Sequence, residues 1–322
     1  MSFCFQKNER LFGLAQGICW LGRHISDGNH TTQLNLLRSS EIYLFEGLCK
    51  KPQDAAQNAY FSHILHGVQE ECLNRQINMI FLAINPVERE VEAAIRQSGA
   101  NGVILASMMS RSVVQYVIDL GLPVVLIEDY FPTLPVDGIL SDALNGVRNA
   151  IHYLVAYGHQ SIAFIDGPHE HYQARLRYIA YRQALHESDI AFNPSLVAMG
   201  DLTVQGGMIA MNTLLKQASP FTALMCTNDA SAFGAMRVLQ ARGWQMPQDI
   251  SIIGHDDVDA ASLVTPPLTT LRTHMKSIGK LAVARLLDYE MPGVLIMTQE
   301  QLIERQTVRN LKGGDARAGQ RL

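Results

Sequence analysis

No uncharged apolar run in this chain of 322 residues reaches the roughly 18 residues that a membrane-spanning helix needs, so no span is expected. Cysteine is scarce: Cys4, Cys19, Cys49, Cys72 and Cys226 are odd in number, widely spaced and free of any C-x-x-C. That pattern argues against a disulfide framework or a structural zinc site and fits a reducing compartment. Positive charge is not in excess. Lys and Arg total 26 against 30 Asp and Glu, so the whole surface does not grip nucleic acid, and any DNA contact has to come from a local basic element. The N-terminus lacks a secretory pattern: Lys7, Glu9 and Arg10 interrupt it, and the short apolar stretch that follows has no A-x-A site, so a cytoplasmic location is expected. Missing too are G-x-G-x-x-G after a first strand, G-x-x-x-x-G-K-[ST], G-x-S-x-G and H-E-x-x-H. Phosphate cradling, an acyl-transfer elbow and a zincin site are therefore unsupported, and no enzyme activity and no cofactor are expected.

What the chain has is alternation. Short apolar runs at 42–45, 79–84, 102–107, 123–128, 161–166, 223–227 and 250–256 read as strands. Helical periodicity fills 61–76, 89–99, 111–121, 144–158, 204–217, 229–243 and 275–290. Apolar strands without polar alternation, each followed by an amphipathic helix, predict doubly wound parallel α/β sheets covered on both faces. Gly99, Gly121, Gly158 and Gly243 stand where left-handed helix ends are expected. A length beyond about 250–300 residues favours two lobes. In such sheets ligands bind beyond the carboxyl ends of the strands, so the residues just after each strand are the ones to inspect. His63 with His66, and His169 with His171, lack the accompanying carboxylates or thiolates of a metal site and read as a solvated helix face and a loop. Asp256 and Asp257 are adjacent at a strand end, so one is expected to face a pocket and the other to tie down a loop.

The stretch 222–287 resembles the effector-binding core of the LacI/GalR family of bacterial transcriptional regulators. The matching elements are N-D-x3-A-x-G-A-M at 228–236, the P-x-D-I-S-I-I-G-x-D-D run at 247–257 and P-P-L-T-T at 266–270. Residues 142–168, with Gly158-His159 before a strand, and AYFSHILHGVQEE at 59–71 extend the likeness, which covers about 41–310. The resemblance implies two α/β subdomains joined by three crossovers, as in type I periplasmic binding proteins, with a small polar, sugar-like effector in the cleft. The first subdomain would take about 41–142 and 273–291, the second about 143–272 and 292–311, with 312–322 as a tail. It further implies a homodimer, formed through helices such as 61–76, whose affinity for operator DNA changes as the cleft closes. A solute-binding protein of a transport system has the same fold and is the alternative, as is a sensor core without DNA binding.

The resemblance also points to site residues. Arg177 would clamp ligand hydroxyls or a carboxylate through its planar fork of donors, and Asp256 would accept hydrogen bonds from the ligand. Asn228 would contact the ligand while Asp229 caps the following helix. Tyr60 or Phe61 would stack on a ring. Leu202 stands where relatives carry an aromatic, keeping an apolar wall but no π-face. His171 and Gln173 would line the cleft, whereas Arg175 and Asp257 read as structural. The family's front signature, D-V-A-x-x-A-G-V-S followed by T-V-S-R, is not found in residues 1–40, which read as a degenerate or lost DNA-binding and hinge region, partly helical in period.

Overall fold

The computed structural model describes residues 59–83, 91–93, 95, 100–106, 109–217, 219–289 and 291–312, with the backbone of two further strands at 18–22 and 41–46. The rest of 1–40, where the front reading falls, lies outside the described residues. The strands are β1 (Ile18–Gly22), β2 (Glu41–Glu46), β3 (Asn78–Ala83), β4 (Gly102–Ala106), β5 (Val124–Ile127), β6 (Asp137–Ser141), β7 (Ile162–Asp166), β8 (Val197–Met199), β9 (Ala223–Cys226), β10 (Ser251–Asp256), β11 (Thr269–Arg272), β12 (Val294–Thr298) and β13 (Gln301–Ile303). The helices are α1 (Ala59–Asn74), α2 (Arg111–Asp119), α3 (Ala143–Ala156), α4 (Tyr172–Glu187), α5 (Val204–Lys216), α6 (Asp229–Ala241), the short α7 (Ala260–Leu263) and α8 (Met275–Leu287).

Two sheets result. The first runs β1-β12-β6-β5-β4-β2-β3 and the second β13-β11-β10-β9-β7-β8. All pairings are parallel except β1 with β12 and β11 with β13. The core strands β4, β5, β9 and β10 are buried along their whole length, which is why their sequences do not alternate. Residues 18–22, expected to be partly helical, instead form the antiparallel edge strand β1.

The chain passes between the sheets three times: after Ser141, between β11 and α8, and between β12 and β13. This corrects one expected boundary. Residues 294–298 pair with β6 in the first sheet, so the last crossing falls at 299–300, not at 291–292. A strand as short as VLIMT gives little periodicity to read, and its partner lies more than 150 residues away.

In the first lobe, α1 and α8 pack with their backbones close together. A Cβ on Gly279 would run into the carbonyl of Ile64, and one on Gly67 into that of Lys276. The contact buries Ile64, Val68, Ile278, Ala282 and Val283 in one apolar cluster. Gly279→Ala is therefore expected to lose about 1–3 kcal/mol, although alanine alone would favour the helix by about 1 kcal/mol. Urea unfolding reads the balance, and an unchanged or raised midpoint would contradict the close approach. The two lobes also touch across the seam. Val258, from the loop after β10, packs into the first lobe's core, and Phe233 on α6 touches the cores of both lobes. His63 Nε2 lies 3.6 Å from Asp259 Oδ2.

Candidate functional site

The carboxyl ends of β5, β6, β9 and β10 converge on the seam, and the buried polar residues are found there. The loop after β7 sets α4 so that Arg177, on its second turn, is only 5% exposed. Its Nη1 donates to the Thr227 carbonyl at 2.8 Å, and its Nη2 donates to Asp256 Oδ1 at 3.4 Å. Asp256 ends β10 with φ at +109° and is 6% exposed. Asp257 turns the other way and binds Arg272 Nε at 2.7 Å and Arg305 Nη2 at 2.6 Å. The adjacent acids thus divide as expected, one into the seam and one into a loop tie.

Opposite them, Glu128 follows β5 in a left-handed conformation and accepts from the backbone N and Oγ of Ser141 at 2.8 and 3.1 Å. Glu300, in the third crossover, accepts from His255 Nε2 at 2.7 Å and Thr273 Oγ1 at 3.3 Å. Ser141, Thr273 and Glu300 each belong to a different crossover, so the hinge itself carries a buried polar knot. Gly146 on α3 makes room for Glu300: a Cβ there would collide with its carboxylate.

Charge decides the chemistry of this cluster. Burial pushes the Glu128 carboxyl up to about 7, against the opposing pull of Arg177. Burial also raises Asp256 well above the usual carboxylate range, again opposed by Arg177. Burial would raise Glu300 as well, but His255 and Arg177 hold it below the ordinary range. His255 is itself lowered, by burial and by Arg177. The Tyr60 hydroxyl is raised by burial and by Glu128 and Asp256, which places it against the same cluster.

The remaining expected site residues divide. Gln173 is fully buried; its Nε2 donates to the Ser141 carbonyl at 3.1 Å. His171 is the N-cap of α4, accepting from Ala174 N at 3.4 Å, with its pKa pushed down to about 3 by burial and Arg177. It is a neutral capping acceptor at the edge of the cluster. Leu202 takes φ of +67° and lies over Gly167 at the end of β7.

Phe61 is 5% exposed and packs in the first lobe's apolar core with its ring edge-on to that of Tyr60, whose hydroxyl feels Glu128 and Asp256. One expectation is corrected. The cap of α6 is Asn228, not Asp229. Asn228 caps α6, accepting from Ser231 N at 2.9 Å and donating to the Leu202 carbonyl at 2.9 Å. Asp229 instead accepts from Thr270 Oγ1 at 2.6 Å and Val258 N at 3.0 Å, fastening α6 to β11 and the loop after β10. Either of two adjacent acceptors can cap a helix, and where β9 ends decides which one does. Sequence reasoning missed Glu128, Ser141, His255, Thr273 and Glu300. The strand-tip rule pointed at Glu128, but Ser141 ends a strand that no apolar run marked, and nothing local marks the crossover that carries Glu300.

No helix among the described residues is long and apolar enough to cross a membrane, and none of their side chains group as a metal site. Comparison with known proteins adds the following. Residues 151–308 match the model of a periplasmic binding protein-like domain. The chain is 31% identical over 237 residues to the ribose operon repressor of Haemophilus influenzae, covering 73% of this chain and 71% of the relative. Among solved structures it is similar to a complex of the transcriptional regulator CelR with cellobiose, at 25% identity and a TM-score of 0.77, over 84% of this chain and 85% of that one. The lac repressor dimer bound to operator and an anti-inducer shares the fold at 23% identity and a TM-score of 0.75, over 86% and 96% of the two chains.

Proposed function

The chain belongs to the LacI/GalR family of transcriptional regulators, and we propose that it senses a small polar effector in the cleft between its lobes and passes the result to operator DNA. The observation that carries this reading is the meeting of Arg177 and Asp256 at the carboxyl tips of strands, buried beside all three crossovers. Groups at 5% and 6% exposure receive a ligand only when the lobes part, so binding and hinge motion are one event. An effector that prefers one hinge angle shifts the population toward it and shifts the DNA-binding geometry with it. Arg177 and Asp256 grip the effector, Gln173 and Tyr60 complete the wall, and Leu202 supplies an apolar contact. His171 and Asn228 hold the helix starts that carry this wall, and neither grips the ligand. The working form is a homodimer in the cytoplasm, where the operator lies.

A thermal-shift screen with ribose, cellobiose, other sugars and nucleosides tests the reading. A compound at a hundredfold excess over its Kd stabilises the fold by about 2.7 kcal/mol and raises the melting temperature. A flat response across the whole panel, extended to amines and sugar acids, would remove the effector cleft.

A further inference from the structure

The buried groups around Arg177 do not balance in charge. Glu128 and Asp256 are 2% and 6% exposed, and the Glu300 side chain is fully buried. A fourth carboxylate, Asp229, is fully buried and repels Asp256. Facing these four, among the described residues, are the Arg177 guanidinium and His255, which is bonded to Glu300, while Arg305 near Asp229 is paired with Asp257. With all four ionised, the cluster is two negative charges in excess when His255 is protonated and three when it is neutral. Uncompensated buried charge is costly enough that something must supply the missing positive charge.

A second observation concerns hydrogen bonds. The Oε1 of Gln173 is buried without a partner, although the same amide's Nε2 is anchored on Ser141 inside the cluster. In the same cluster the Nε of Arg177 is a donor without a partner, and the Oγ1 of Thr227, whose carbonyl holds Arg177, is an unpartnered hydroxyl that can donate or accept. The cluster therefore holds both an acceptor and a donor for a guest.

We propose that the cleft takes a cationic ligand, a small molecule whose ammonium or amidinium group balances the surplus of buried carboxylates and donates an N–H to the Gln173 carbonyl oxygen. The proposal rests on the effector-cleft reading and deepens it. In the empty cleft, protons stand in for that charge, in keeping with the raised carboxyls of Glu128 and Asp256. The cation displaces them, so binding releases protons and tightens as pH rises. The groups that set this dependence are Glu128 after β5, His255 and Asp256 on β10, Asp229 on α6, Glu300 in the third crossover, Tyr60 on α1, and Arg177 with His171 on α4. A carboxylate or phosphate ligand adds to the excess and is excluded.

Isothermal titration calorimetry with matched probes tests this: glucamine against sorbitol, putrescine against 1,4-butanediol, and gluconate as the anion, at pH 6.5 and 8 in phosphate and in HEPES. The expected result is at least about tenfold tighter binding of an amine than of its neutral counterpart. The preference should be larger at pH 8, with an enthalpy that differs between the buffers because protons are released. Glu128→Gln, checked for folding by its circular dichroism melt, should lose most of the preference. A neutral probe, a sugar or a nucleoside that binds as well as any amine, or binding of gluconate, overturns the cationic ligand and leaves the effector cleft standing. If no amine, sugar or nucleoside binds, both fall.

Discussion

Arg177→Ala should destabilise the fold by about 3–5 kcal/mol in urea unfolding and weaken effector binding by about 2–4 kcal/mol in calorimetry. Both effects have one cause. The guanidinium satisfies the Thr227 carbonyl and faces Asp256, and it is the main positive charge opposing burial at both Asp256 and Glu128. Alanine leaves the carbonyl unmet and the acids uncompensated, and a buried charge that loses its partner costs more than the pair contributed. The stability loss should be larger at pH 8 than at pH 5, because protonation relieves the stranded acids. Arg177→Lys keeps the charge but loses the two-pronged geometry, so it should recover much of the stability and less of the binding. An Arg177→Ala protein with a wild-type unfolding midpoint would mean that the guanidinium is solvated and does not bridge the seam.

Glu128→Gln has the opposite sign at alkaline pH. The Glu128 carboxyl titrates at about 7 in the fold, against 4.5 when unperturbed. A carboxyl raised on folding contributes stability that is fully present below pH 4.5 and is lost as pH climbs through 7. The loss amounts to about 3 kcal/mol for a group this buried. His171 and His255 run the other way: both are lowered on folding, so their share is lost as pH falls. The wild-type profile therefore mixes opposing trends, and only the difference between wild type and variant isolates Glu128. Relative to wild type, Glu128→Gln should gain about 3 kcal/mol between pH 5 and pH 8 in urea unfolding, since glutamine still accepts from Ser141 without a charge to bury. A constant difference across that range would show that Glu128 is ionised in the fold throughout.

The fold was legible where the chain repeats itself. Apolar runs such as GVILA and ISIIGHD mark strands buried on both faces, and the glycines at 121, 158 and 243 do take positive φ at helix ends. Strand β6 was passed over because Asp137 and Gly138 break its apolar run. Asp137 is nonetheless fully buried there, accepting from Arg285 and from the backbone of Gly293 and Val294. At the candidate site, the family resemblance marked Arg177 and Asp256, and the structure brings them within 3.4 Å of each other. Glu300 and Thr273 were not, because their meaning comes from three crossovers meeting at one point, and no stretch of sequence carries that encounter. The misplaced α6 cap has the same origin: Asn228 and Asp229 were both marked, but the pairing of Asp229 with Thr270 joins positions 41 apart.

The central claim is that Arg177 and Asp256 grip one guest as the lobes close. The most direct measurement is a crystal structure of the protein with the compound that gives the largest thermal shift. The account predicts that compound between the lobes, with the guanidinium of Arg177 or the carboxylate of Asp256 within about 3.2 Å of its polar atoms. A ligand seated elsewhere, with the Arg177–Asp256 contact undisturbed beneath a shut seam, would contradict it.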